Sequence, residues 1–165
     1  MPLKRAIMGQ NANRLHYWGL NSLSIHYKSF TMKISLEQSA NIYTLHSYRD
    51  ETIIVRPPHA ALEDEEALLH LTGSCILSTA GLMDDWPPQR LSELRPEHLQ
   101  VIGGLKPEVL LIGSGSQMRF PSTEQLAALV GLGTGYEVMD TAAACRTYNV
   151  LVGEGRKVVA ALFAA

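Results

Sequence analysis

The hydrophobic positions of this chain change rhythm twice. Through the first 31 residues they keep no lasting period. From Asn41 they alternate loosely. In NIYTLHSY, Ile42, Thr44 and His46 fall on one side and Tyr43, Leu45 and Ser47 on the other, which predicts a half-buried strand. TIIVR at 52–56 is a β-branched run stopped by Pro57 and Pro58, which have no amide to give a ladder. EDEE at 63–66 predicts a solvated turn. ALLHL and SCILST, on either side of Gly73, predict further strands, and AGLMDDWPPQ predicts a loop.

From residue 95 the rhythm is that of alternating helices and strands. RPEHLQVIGGL predicts a short helix, with Pro96 in its first turn and Gly103 and Gly104 ending it. VLLIG at 109–113 is apolar without interruption, as in a parallel strand covered on both faces. Ser122 with Gln125 three residues on forms a capping box. In the helix it opens, Leu126, Leu129 and Val130 have the spacing of a sheet-facing stripe, and Gly131 and Gly133 end it. YEVMD at 136–140 predicts a strand, with Asp140 or Thr141 capping the helix that follows. There Ala144, Cys145, Tyr148, Leu151 and Val152 form the inward face. Arg146 and Asn149 share the outward face. Gly153 and Gly155 release the chain into RKVVAALF, a final strand. The sum is an α/β fold with a β-rich N-terminal half and a strand-helix-strand-helix-strand C-terminal half.

Charge changes the picture of the N-terminus. Residues 1–31 carry Lys4, Arg5, Arg14 and Lys28 and no acid, so the remainder is distinctly acidic within a net charge of −2. Such a body is a poor fit to nucleic acid, which demands a basic face. Three readings of the first 31 residues stay open. They are an upstream extension with Met32 as the working start, a disordered tail, or an organelle presequence. On each of them residues 32–165 form a single domain. The apolar runs, such as VVAALFAA at 158–165, fall far short of the roughly 20 residues a bilayer span needs. Gly9 to Arg14 interrupts any secretory core behind Lys4 and Arg5. Cys75 and Cys145 have no partner motif and are expected to be free, buried thiols in a reducing compartment. The expected location is cytoplasmic, or mitochondrial if the source is eukaryotic.

Candidate chemistry is sparse. Gly113, Ser114, Gly115 and Ser116 follow VLLIG at the C-terminal end of a strand, where open α/β sheets bind ligands. With Arg119 nearby and Asp140 at the next strand end, they could cradle an anion or small molecule. The alternative is that the glycines serve a tight turn. GSGSQ is neither a P-loop nor a complete dinucleotide fingerprint, and no cofactor is expected. No nucleophile elbow surrounds Ser114 or Ser116, and the histidines at 59, 70 and 98 are scattered. No catalytic residue and no metal ligand set is assigned. Trp86, in DDWPP, either packs on the sheet or anchors a partner, since tryptophan and arginine dominate interface hot spots. Arg146 and Asn149 offer an outward polar face for the same partner.

The ordered string LLIGSG, then FPS opening a helix, then DTAAACRTYNVLVGEGRKVVAALF resembles a small family of unknown activity, with Trp86-Pro87 a looser match. That family includes mitochondrial respiratory complex I assembly factor 3, the adipogenesis-associated domain protein and many uncharacterised bacterial and archaeal proteins. The likeness runs from about Ile34 to Phe163 and omits the first 31 residues. It implies a single compact α/β domain in which a mixed sheet packs against about three helices and a β-hairpin extension. It implies no established reaction and offers no catalytic residues. Together with the absence of a catalytic set, it favours a non-enzymatic interaction protein that docks on an assembling or membrane-associated partner through Trp86, Arg146 and Asn149. The alternative is a small-molecule or anion-binding domain using the glycine/serine turn. A homo-oligomer is compatible with either.

Overall fold

VLLIG lies where its composition asks, inside a sheet covered on both faces. The computed structural model describes residues 41–165, so the readings of residues 1–31 and the division at Met32 lie outside the described residues. The chain runs β1 (Thr44–Arg49), β2 (Thr52–Arg56), β3 (Leu69–Leu71), β4 (Cys75–Ser78), β5 (Gly81–Met83), a 3-10 turn at Leu91–Glu93, α1 (Pro96–Leu105), β6 (Val109–Gly113), α2 (Thr123–Gly131), β7 (Gly135–Met139), α3 (Thr141–Gly153) and β8 (Val158–Leu162).

Five strands form a mixed sheet in the order β5-β4-β8-β6-β7. β6 pairs in parallel with both β7 and β8, while β4 runs antiparallel to β8 and to β5. Side chains alternate between faces along each strand. Leu111, Val158, Ala160 and Leu162 point to one core with Ala144, Cys145, Tyr148 and Val152 of α3. Leu110, Ile112, Val159 and Ala161 point to the other with Leu99 and Ile102 of α1, Leu129 of α2, and Trp86. Each fully buried Leu or Ile contributes about 1.5–3 kcal/mol. β1, β2 and β3 form a separate antiparallel sheet that packs on the α3 side through Leu45, Ile53 and Val55.

Four details differ from the pattern-based reading. Gly81–Met83 is a short strand in a hairpin with β4, not loop. Three residues are too few to show a period of two. α1 continues through Gly103 and Gly104 to Leu105 and ends at Lys106, whose φ of 48° is left-handed. Burial of Leu99 and Ile102 outweighs the glycines' poor propensity, about 1 kcal/mol each. α2 is rotated from its expected face, since Leu129 is buried but Leu126 and Val130 are exposed. Gln125 turns inward in their place. Its amide nitrogen, Nε2, donates to the carbonyls of Leu91 (2.6 Å) and Leu94 (3.1 Å). Its Oε1 completes the capping box on the Ser122 amide at 2.9 Å. Lastly, the β1–β2 register shifts between Leu45 and Ser47, which leaves His46 as a bulged residue and explains the loose alternation of NIYTLHSY.

Candidate functional site

The turn after β6 is closed by its own bonds. The Ser114 amide donates to Met139 O at 2.8 Å, and the Gly115 amide donates to Thr141 Oγ1 at 2.9 Å. Ser114 Oγ accepts from the Arg119 amide (2.9 Å) and donates to Gln117 O (3.0 Å). Thr141, fully buried, completes the knot. Its hydroxyl donates to Phe163 O at 2.6 Å and its amide donates to Gly115 O at 2.9 Å. Two glycines make this packing possible. A Cβ on Gly113 would lie 2.9 Å from both Leu162 Cδ2 and Thr141 Oγ1, and one on Gly115, at φ 106°, would lie 2.5 Å from Ala165 O. The amides of Ser114, Gly115 and Arg119 are therefore committed within the fold. Ser116 and Arg119 keep exposed side chains. Asp140 caps α3, accepting from the Ala143 amide at 2.7 Å.

Trp86 lies in the second core, 1% exposed. Its ring stacks at a tilt on Phe163 with centroids 5.2 Å apart, and its indole N–H donates to His98 O at 3.4 Å. Ser74 and Gln89 hold the loop by bonding to the Trp86 carbonyl, each at 3.0 Å. Trp86 thus packs, the first of its two sequence readings, and its burial leaves no indole surface for a partner.

Arg146 and Asn149 do lie on the outward side of α3, but they differ in role. Asn149 reaches the edge strand β1. Its Oδ1 accepts from the Leu45 amide at 2.9 Å and its Nδ2 donates to Leu45 O at 2.6 Å. One side chain thus occupies both free backbone groups of an edge residue. Tyr148 adds a bond from its hydroxyl to Tyr43 O at 3.2 Å, and Tyr48 donates to Ala164 O at 2.6 Å. Arg146 is exposed, with no ion pair among the described residues.

Between β1 and α3 lies a groove of about 240 Å³, lined by His46, Ser47, Tyr48, Cys145, Arg146 and Asn149 among others. Burial pushes the Cys145 thiol up to about 12, against a smaller opposite pull from Arg146. It also raises the Cys75 thiol well above its usual range. Both cysteines are free. His46 sits 3.3 Å from the guanidinium of Arg56, which is 8% exposed and also donates to Ala61 O at 2.5 Å. Sequence reasoning missed Thr141's knot, Gln125's inward turn and the His46–Arg56 pair. Only the last left a trace, in the broken alternation of β1. Among the described residues no group of His, Cys, Asp or Glu is placed to hold a metal ion.

Comparison with known proteins places this geometry in a family. A Francisella tularensis protein named a 13 kDa major membrane protein is 31% identical over 90 residues, which is 54% of this chain and 69% of that one. A Xenopus tropicalis protein named NADH dehydrogenase [ubiquinone] 1 alpha subcomplex assembly factor 3 is 31% identical over 94 residues, 56% of this chain and 51% of that one. The crystal structure of a Bordetella parapertussis protein superposes with a TM-score of 0.62 at 35% identity, covering 74% of this chain and 96% of the other. The sequence profile described as "Protein of unknown function (DUF498/DUF598)" matches residues 57–163. That span holds the five strands of the mixed sheet, the glycine turn and α3 but not β1 and β2, and the chain belongs to this family.

Proposed function

We propose that this chain is a non-enzymatic, cytoplasmic protein-binding domain with an assembly role. The observation that carries the reading is its kinship with a protein named as a complex I assembly factor, of whose length it spans about half. The fold supplies a surface suited to such a role. Phe120 is 80% exposed and Val130 65% exposed, with Met118 and Leu126 also open to solvent. Leu126 and Val130 share one face of α2 at i, i+4, and Met118 and Phe120 lie on the loop that enters the helix. Gln125's inward turn is what sets those apolar side chains outward. Exposed apolar groups on a helix and the loop that enters it support an interaction surface. The partner is a protein with an apolar docking face, and Arg146 remains available to an acidic one on the opposite side of the sheet.

A membrane-associated partner is the finer reading, since one relative is named a membrane protein. No helix among the described residues is long and apolar enough to cross a bilayer. The test is purification of the tagged full chain from its own host after mild crosslinking, beside the Phe120→Ser, Val130→Ser double variant. A polypeptide recovered with the wild type should drop by about tenfold with the variant, as for loss of an apolar hot spot, at an unchanged melting temperature. Equal recovery by both proteins refutes the α2 surface. Recovery of nothing above a tag-only control refutes the assembly reading.

A further inference from the structure

We propose that the groove between β1 and α3 is a binding site for a small oxyanion, a carboxylate or phosphate group, held by Arg146 and His46. The site lies on the opposite face of the sheet from α2, and the inference does not rest on the assembly reading.

Three observations carry it. First, the charged hydrogen-bonding group in the groove lining is a donor, Arg146, beside the neutral hydroxyls of Ser47 and Tyr48. Asn149 spends both ends of its amide on Leu45, and the Tyr48 hydroxyl donates to Ala164 O. Arg146 keeps a full guanidinium. Arg56 can only donate, and its guanidinium faces His46 Nδ1 at 3.3 Å. A ligand meeting the Arg146 guanidinium must bring acceptors.

Second, the local charge is unbalanced. Arg56 is nine-tenths buried, yet its partners are a carbonyl and the His46 ring, and no carboxylate pairs with it or with Arg146 among the described residues. A buried guanidinium without an anion is costly, and Arg56 stands behind the groove lining, in contact with it through His46. Two acids act on residues of the groove lining, Asp140 and Glu51. Asp140 acts on both Tyr48 and Cys145, and Glu51 acts on Tyr48. Asp140 is engaged as the α3 cap. Arg146 is the cation of the groove lining.

Third, the size selects. At about 240 Å³ the groove is smaller than the roughly 300–1,000 Å³ typical of cofactor and drug-sized pockets. It takes a small acid rather than a nucleotide. The bulge at His46 is what brings that side chain into the lining, a common use of bulges near sites.

The test is an amide NMR titration of the full chain with inorganic phosphate to about 20 mM, the range of a weak small-ligand site. Sodium acetate is run beside it, and the more potent of the two identifies the group taken. Shifts should concentrate at Leu45, His46, Ser47 and Arg146. Arg146→Gln should weaken the response by about tenfold or more, as expected for loss of a charge-assisted bond. Arg95→Gln, on the α1 side, should leave it unchanged. The proposal is overturned by silent groove amides with both anions, by a response equal in Arg146→Gln, or by shifts centred on residues 114–119 instead.

Discussion

Asn149 separates two roles that look alike on a helix surface, a partner contact and a structural staple. The perturbation is Asn149→Ala. It removes two hydrogen bonds at once, one to each backbone group of Leu45. Each is worth about 0.5–1.5 kcal/mol net. Asn149 is exposed, so water can reach the freed groups, and the penalty for leaving them unpaired is small. The expected loss is therefore about 1–2 kcal/mol, the lower part of the range set by two bonds. At this size that lowers the melting temperature by roughly 4 °C per kcal/mol. The loss is local as well as global, because β1 is an edge strand and Asn149 pairs the outer backbone groups of its Leu45.

Two readouts make the claim refutable. Urea unfolding gives the global change, and native-state hydrogen exchange at Leu45 gives the local one. The Leu45 amide should exchange faster in the variant, while the amides of β6 and β8 change only by the global amount. Asn149→Asp adds a chemical check. It keeps an acceptor for the Leu45 amide but sets an oxygen against Leu45 O, so at pH 7 it should cost at least as much as alanine. Its deficit against the wild type should shrink below about pH 4, where the protonated carboxyl regains a donor. A stability change within about 0.5 kcal/mol, the range of an ordinary surface substitution, together with unchanged Leu45 exchange, would refute the staple.

Three further outcomes follow from the same geometry. Trp86→Ala should cost about 3–5 kcal/mol in urea unfolding, because it empties a core site stacked on Phe163; a loss under about 1 kcal/mol would contradict its burial. Gly104→Ala should stabilise by about 0.5–1 kcal/mol, since a Cβ there meets nothing within 4 Å and the position is helical; a lower melting temperature would refute this. Stability should also fall as pH rises past about 8.5. The unfolded chain then releases both thiol protons while Cys75 and Cys145 keep theirs, with a slope approaching about 1.4 kcal/mol per pH unit for each thiol. For Cys145 that loss ends near pH 12, where the folded thiol titrates too. Urea midpoints that stay flat from pH 8 to 10 would contradict the buried thiols.

What was legible in the sequence divides by the distance over which each feature is decided. The double coverage of β6 follows from VLLIG itself, because an unbroken apolar strand has no face to give to water. The Ser122–Gln125 box and the Asp140 cap are decided within four residues and form as the sequence indicates. The rotation of α2 is decided by the carbonyls of Leu91 and Leu94, 34 and 31 residues away, so periodicity alone selects the wrong face. Trp86 is turned inward by Phe163 and held by Ser74 and Gln89, partners that a loop flanked by acids and prolines does not reveal. Asn149 depends on Leu45, 104 residues earlier. No helical spacing distinguishes a polar residue facing water from one facing a strand edge. A different question does: which element satisfies the outer backbone groups of a hairpin whose first strand has a neighbour on only one side? Asked of β1, it calls for a side chain with one donor and one acceptor on a nearby helix, and among the outward residues of α3 weighed from sequence, Arg146 and Asn149, only Asn149 has both. That leaves Arg146 as the residue of the pair free to act on something outside the fold.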